Sequence, residues 1–236
     1  MLRVDGRAFQ LGQHGFARDR RFEWKSRTPT SCGLVLVDDA ETREMFPFPF
    51  QLELTYTVSS GALTVAYRLE NTGVASFPAG LGAHPAFRWP LSAEVAPEAH
   101  LIAFDHVEPQ PIRRLKGGLL DPGPRATPVV GRILQLERGL FSEDALIFDR
   151  LESRSLRYSA PGVGALVLSW RGFAELGLWS KPDRGDFLCI EPWNGYADPV
   201  GFEGEFKDKP GVMHIAPGET IDCSWTLVVE AEGRPG

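Results

Sequence analysis

Three short stretches combine a titratable side chain with stiff or aromatic neighbours: QHGFARDRRF at residues 13–22, GLGAHPAFRWP at 80–90 and CIEPWNGYADP at 189–199. The third raises the sharpest question, because Glu191 follows the apolar run Phe-Leu-Cys-Ile, which has the composition of a covered strand. Ionised carboxylates are almost never placed inside a protein without a partner or a task, and burial raises their pKa toward neutrality, where they can both take and give a proton. His84 and Glu191 are each followed by proline, which holds the preceding backbone extended and narrows where the side chain points. A carboxyl and an imidazole are common equipment for general acid–base catalysis. Taken singly, His14 and His84 read as hydrogen-bonded turn residues, and Phe87, Trp193 and Tyr196 as core. Aromatic rings beside polar groups also form walls on which sugars stack, and the combination of three such stretches favours a site.

Other chemistries fit less well. Two histidines and a glutamate would satisfy a metal triad, but the local pairs His-x-His and His-Glu-x-x-His are absent, so no metal is expected. There is no Gly-x-Ser-x-Gly elbow for a serine hydrolase and no phosphate-loop or dinucleotide fingerprint, so no organic cofactor is expected either.

A scaffold must bring these stretches together. Residues 51–70 carry two alternating runs, Leu52, Leu54, Tyr56 and Val58, then Leu63, Val65, Tyr67 and Leu69, separated by a glycine-containing loop; this predicts a β-hairpin with one covered face. The same period of two returns at 164–170 and 221–229, while no stretch of a dozen residues has helical periodicity and 25 Gly with 19 Pro interrupt the chain. The fold class that follows is all-β, a large antiparallel β-sandwich, occupying residues 1–236 as one domain. Residues 93–128 and 194–218 read as long loops over one sheet face, where binding groups are displayed, and the Gly-Arg-Pro-Gly end as a frayed tail.

A net charge of −6 argues against nucleic-acid binding, which needs clustered cations to displace counterions from phosphates. The N-terminal residues contain no long apolar stretch, so neither a signal peptide nor a membrane span is expected. Cys32, Cys189 and Cys223 are too few for a disulfide framework and read as reduced thiols of a cytoplasmic protein, the latter two as small buried hydrophobes.

In this order, QHGFARDRRF, GLGAHPAFRW, EDALIFDRLESRSL at 143–156, FLCIEPWNGYAD at 187–198 and PGVMHIAPGE at 210–219 resemble the aldose 1-epimerase (galactose mutarotase-like) family, in particular its bacterial LacX-like and hexose-6-phosphate mutarotase branch. The resemblance implies a β-supersandwich with an open sugar cleft on a sheet face. It implies Glu191 as general base and His84 as general acid, meeting across one pyranose. His14 and Asp144 would hold sugar hydroxyls, with Asp149 the alternative acidic residue, and Arg18 would contact substrate. Trp193, an aromatic ring beside polar groups, is read from its own surroundings as a substrate-binding wall. The implied reaction interconverts α and β anomers: the O1 proton leaves, the ring oxygen is protonated, and the open aldehyde rotates and closes on its other face. That needs one acid and one base, without metal or cofactor.

Relatives carry further strands ahead of the HGFAR stretch, with an arginine that reaches the cleft. The N-terminal strands are therefore expected to be missing here, leaving an edge that a second copy could cover as a homodimer. The expected partner is a monosaccharide, a hexose or a hexose phosphate. A hexose-6-phosphate mutarotase would call on rim cations from Arg18, Arg20, Arg21, Arg88 and Lys181. A third reading is a noncatalytic sugar-binding or sensory module using the same cleft.

Overall fold

The alternating runs at 51–70 form the strands Phe50–Ser59 and Ala62–Asn71, joined by Ser60 and Gly61, whose φ of +79° suits glycine in so tight a connection. The computed structural model that shows this describes residues 1–182 and 185–231. Antiparallel register sets Leu52 beside Leu69 and Leu54 beside Tyr67, so the apolar rows expected from the sequence share one face. The hairpin belongs to a nine-stranded antiparallel sheet in the order Ile133–Gln135, Leu101–Phe104, Ser155–Ser159, Ala165–Arg171, Thr220–Glu230, Ala62–Asn71, Phe50–Ser59, Ser31–Val37, Glu23–Arg27. Thr220–Glu230, late in the chain, lies between Ala165–Arg171 and Ala62–Asn71 and joins the two halves of the sheet.

The second sheet has the order Leu146–Phe148, Glu175–Trp179, Phe187–Asn194, Leu81–Gly82, with Ala86–Arg88 pairing further along Phe187–Asn194. Its inner face contributes Leu176, Leu178, Leu188 and Ile190 to a core shared with Val65, Leu168, Trp170 and Trp225 of the larger sheet. Each such side chain stabilises the sandwich by roughly 1.5–3 kcal/mol. A second cluster, around Phe46, Phe50, Phe77 and Phe206, fixes the N-terminal hairpin of Leu2–Val4 and Arg7–Phe9 through Leu2 and the segment bearing His14 through Phe16.

Of the two stretches read as loops, 93–128 is more ordered than expected. Leu101–Phe104 is an internal strand of the large sheet, and Leu115–Lys116 pairs with Leu119–Leu120. The strand escapes a period-two reading because all four residues Leu-Ile-Ala-Phe are apolar. The stretch 194–218 is largely irregular, apart from Met213–Ile215, which pairs with Phe77–Ala79, and the turn Phe206–Asp208. The Gly-Arg-Pro-Gly end lies outside the described residues. Ala40–Met45, opened by an Asp39 capping box, is the only α-helix among the described residues, and none of their helices is long and apolar enough to cross a membrane.

Candidate active site

The strand Phe187–Asn194 answers the question that Glu191 poses. Its alternation sends Leu188 and Ile190 into the core and Cys189, Glu191 and Trp193 to the other face, so the apolar run is divided between two environments. Glu191 is nevertheless only 3% exposed. Beside it, Gly177 pairs with Glu191 and Gly82 with Trp193, and the indole lies over both: a Cβ on Gly177 would stand 2.3 Å from Trp193 Cη2, and one on Gly82 2.7 Å from Cδ1. Two glycines on neighbouring strands thus make the floor that seats this ring.

His84 reaches the same spot from the segment between Leu81–Gly82 and Ala86–Arg88. That segment is stitched to the strand on both sides of the histidine, Ala83 N–H donating to Pro192 C=O (3.0 Å) and Ile190 N–H to Pro85 C=O (3.2 Å). His84 Nδ1 stands 3.2 Å from Glu191 Oε1. The carboxylate side chain is 4% exposed and the imidazole 45%, so the imidazole is the partner with room to move.

Burial pushes Glu191 up to about 8, with Asp144 adding to the rise and the neighbouring Cys189 and Trp193 side chains opposing it. Burial also lowers His84 from its ordinary value, as does the charge of Arg18, against a hydrogen bond with its own backbone. The His14 ring meets the His84 ring edge-on with centroids 5.2 Å apart, and burial, His84 and Arg18 lower its pKa in turn. His14 and Asp144 both have φ +65°, a left-handed conformation that costs a non-glycine residue about 1 kcal/mol or more and concentrates at functional sites. Asp144 holds its turn by accepting from Ala145 N–H (2.8 Å), and Arg114 donates to the Asp144 carbonyl (2.9 Å).

His14, His84, Asp144, Arg18 and Glu191 therefore converge, from four separate parts of the chain, and Trp193 flanks Glu191. Other expectations need correction. Glu191 and His84 are in contact rather than a ring's width apart, because two strand-anchored segments bring them together edge to edge. Asp149 is drawn to Arg113 (3.6 Å) and acts on Glu175 and Tyr196 instead of Glu191. Phe87, in keeping with its reading as core, pairs with Leu188 and packs on the main core, away from a sugar-stacking wall. Arg20 is held by Asp39 and Glu41, which removes it from any anion-binding rim.

Residues not singled out as site groups from the sequence also line this face. Arg114 is one, and Glu175, which accepts from Gly195 N–H (3.1 Å) and is raised by burial, is another. Cys189 carried a legible signal, since a residue two before Glu191 on a strand must share its face. Arg114 carried none, because its stretch comes to the site only through tertiary folding. His84, Cys189 and Glu191 each place one metal-ligating atom within 4.8 Å of the others. Ligands around one zinc stand roughly 3.3–3.8 Å apart, so holding such an ion would require the trio to close inward. A depression of about 430 Å³ lined by Glu53, Arg68, Arg171 and Asp222 sits on the larger sheet and contains none of these residues.

The sequence profile described as aldose 1-epimerase matches residues 4–213. The chain belongs to the aldose 1-epimerase family. The plasmid-encoded protein LacX of Lactococcus lactis subsp. lactis is 31% identical, over 93% of this chain and 75% of LacX. Among solved structures, a galactose mutarotase related enzyme from Lactobacillus acidophilus superposes with TM-score 0.86 at 26% identity, covering 97% of this chain and 79% of that one. A galactose mutarotase-like protein from Lactobacillus casei ATCC 334 gives TM-score 0.88 at 25% identity, with 97% and 80% covered. This membership agrees with the all-β sandwich and places the chain in a class of sugar isomerases of mutarotase type.

Proposed function

We propose that the protein is a mutarotase that interconverts the α and β anomers of a hexose through Glu191 and His84. The observation that carries this reading is the contact between a buried carboxyl raised to about 8 and a partly exposed imidazole lowered from its ordinary value. The contact suits the reaction better than a sandwiched ring would. The two oxygens that exchange protons, O1 and O5, are both bonded to C1, so an acid and a base side by side can address one edge of the sugar. The pair takes a proton from O1 as it delivers one to O5; the C1–O5 bond breaks and C1=O1 forms. Rotation about C1–C2 and the reverse transfer close the other anomer, and the pair ends with the number of protons it began with. His14 and Asp144 orient hydroxyls, Arg18 stands at the mouth, and Trp193 walls the site. Glu191→Gln and His84→Asn are each expected to slow anomer exchange, measured by NMR on a freshly dissolved pure anomer, by at least about 10²-fold. An unchanged rate in either variant removes that residue from the mechanism.

Phosphorylated hexoses remain a second substrate reading. Arg18 supports it, with its side chain 59% exposed, only a 3.6 Å pairing with Asp19, and its charge felt by both histidines. Loss of a preference for glucose 6-phosphate over glucose in Arg18→Ala is its test. Calorimetric sugar binding without turnover above the spontaneous rate would favour a binding module instead. The three free thiols fit a reducing, cytoplasmic setting. Pairing of two copies through the edge strand Glu23–Arg27 is the oligomeric reading: all five residues are exposed, and antiparallel self-pairing about Lys25 sets Glu23 opposite Arg27 of the second copy.

A further inference from the structure

The two buried thiols of the sandwich differ in what they touch. Cys223 donates to Gly172 C=O (3.2 Å) in the joint between the sheets. Cys189, 2% exposed, lies across from Trp179 and Ala86 on the two neighbouring strands, and its sulfur is grouped with the Glu191 carboxylate and the His84 ring nitrogen. On one strand face, residues two before and two after a given position flank it, which sets Cys189 on one side of Glu191 and Trp193 on the other. The Trp193 ring is pinned by Gly82 and by Gly177, the cross-strand partner of Glu191, so the indole is fixed beside the carboxyl's strand position. A small apolar side chain would fill the Cys189 position as well as cysteine does; what the thiol adds there is its S–H.

We propose that Cys189 is a positioning residue whose S–H donates to the Glu191 carboxylate and, with the Trp193 N–H opposite, clamps the proton-transferring carboxyl against His84. The inference rests on the mutarotase reading above for its catalytic consequence, but not for the clamp itself. Burial pushes the Cys189 thiol up to about 12, which keeps it a donor at any working pH. The groups facing Glu191 are His84 from the 83–85 segment, Asp144 from the turn before Leu146–Phe148, and Cys189 and Trp193 from its own strand, with His14 and Arg18 beyond His84. A donor to the ionised form lowers a carboxyl's pKa, so removing the S–H raises it.

The test compares Cys189→Ala with Cys189→Ser, which keeps a donor in the same place. In protein labelled with 13C at glutamate carboxyls, the Glu191 midpoint is expected to rise in the alanine variant by about half to one pH unit, since a hydrogen bond to a charged group has that order of effect. The serine variant should return it to near the native value. In turnover, the alanine variant should lose kcat roughly threefold to tenfold with KM unchanged, because the thiol does not touch sugar. An unmoved midpoint in the alanine variant, or equal shifts in both variants, overturns the proposal. If the native chain turns over no sugar, the mutarotase reading fails while the NMR midpoint still decides whether the thiol holds the carboxylate.

Discussion

At neutral pH, Glu191 and His84 hold one proton between them: the carboxyl has been raised to about 8 and the imidazole lowered from its ordinary value. In the proposed reaction, ring opening needs one proton to give and one site to receive, so the singly protonated pair would be the active form, whichever group carries the proton at rest. A bell-shaped pH dependence of kcat/KM follows. It should fall below the lowered imidazole pKa, where both groups are protonated, and above about pH 8, where neither is. A profile flat through pH 9 would contradict the pair's role. The raised carboxyl has a second consequence. Its stabilising contribution is fully present below the unfolded value of 4.5 and is lost as pH rises through about 8, because the folded site resists the charge. Glu191→Gln should therefore melt higher than the native protein, with the gap widening from about pH 5 to about pH 8, as scanning calorimetry would show.

The strand Phe187–Asn194 carries the site and is fastened at its end by Asn194, whose amide donates to Gly172 C=O (2.6 Å) and to Cys223 Sγ (3.4 Å) while its oxygen accepts from Ala174 N–H (2.9 Å). The strand is thereby tied to the opposite sheet just beyond Trp193. Its neighbour Glu175–Trp179 contributes by absence of a side chain at Gly177. Gly177→Ala would drive a methyl into the indole, and overpacking of this kind costs about 1–3 kcal/mol. Its expected outcome is a lower Tm together with reduced kcat/KM, since the ring beside Glu191 must move. Retention of full activity would show that the seat of Trp193 does not matter to the site.

At the scale of the molecule, the nine-stranded sheet extends past the smaller one. On its inner face Val65 and Trp225 are covered, whereas Trp24 and Val58, nearer the Glu23–Arg27 edge, are each 57% exposed. The edge has some protection of its own: a register shift between Trp24 and Ser26, Lys25 at the shift, and Arg27 lying over the Trp24 ring at 4.5 Å. If two copies nevertheless pair through this edge, light scattering should give a dimer mass. Trp24→Lys combined with Val58→Lys should return it to a monomer without changing anomer exchange, as neither residue lies at the site. A monomer in the native protein at all practical concentrations would remove the edge as an interface.

Much of this was legible in the residues themselves. Period-two alternation at 51–70 specified a hairpin and which face it buries, because a pleated strand leaves no other assignment of in and out. Glu191 after an apolar run marked a carboxyl displaced from its ordinary pKa, and the motif resemblance brought His84, His14, Arg18 and Asp144 to one site. The spacing of Glu191 and His84 was not legible, since two residues 107 positions apart in the chain are set at 3.2 Å only by the hydrogen bonds that stitch the 83–85 segment to a strand from the far end of the sequence. The same holds for Asp149, which sits next to apolar Phe148 in sequence yet is claimed by Arg113, and for Leu101–Phe104, whose neighbours in the sheet decide that it is a strand. Residue chemistry and local periodicity are carried by the chain order; which charge meets which, and at what distance, depends on pairings between remote strands that only the folded molecule makes.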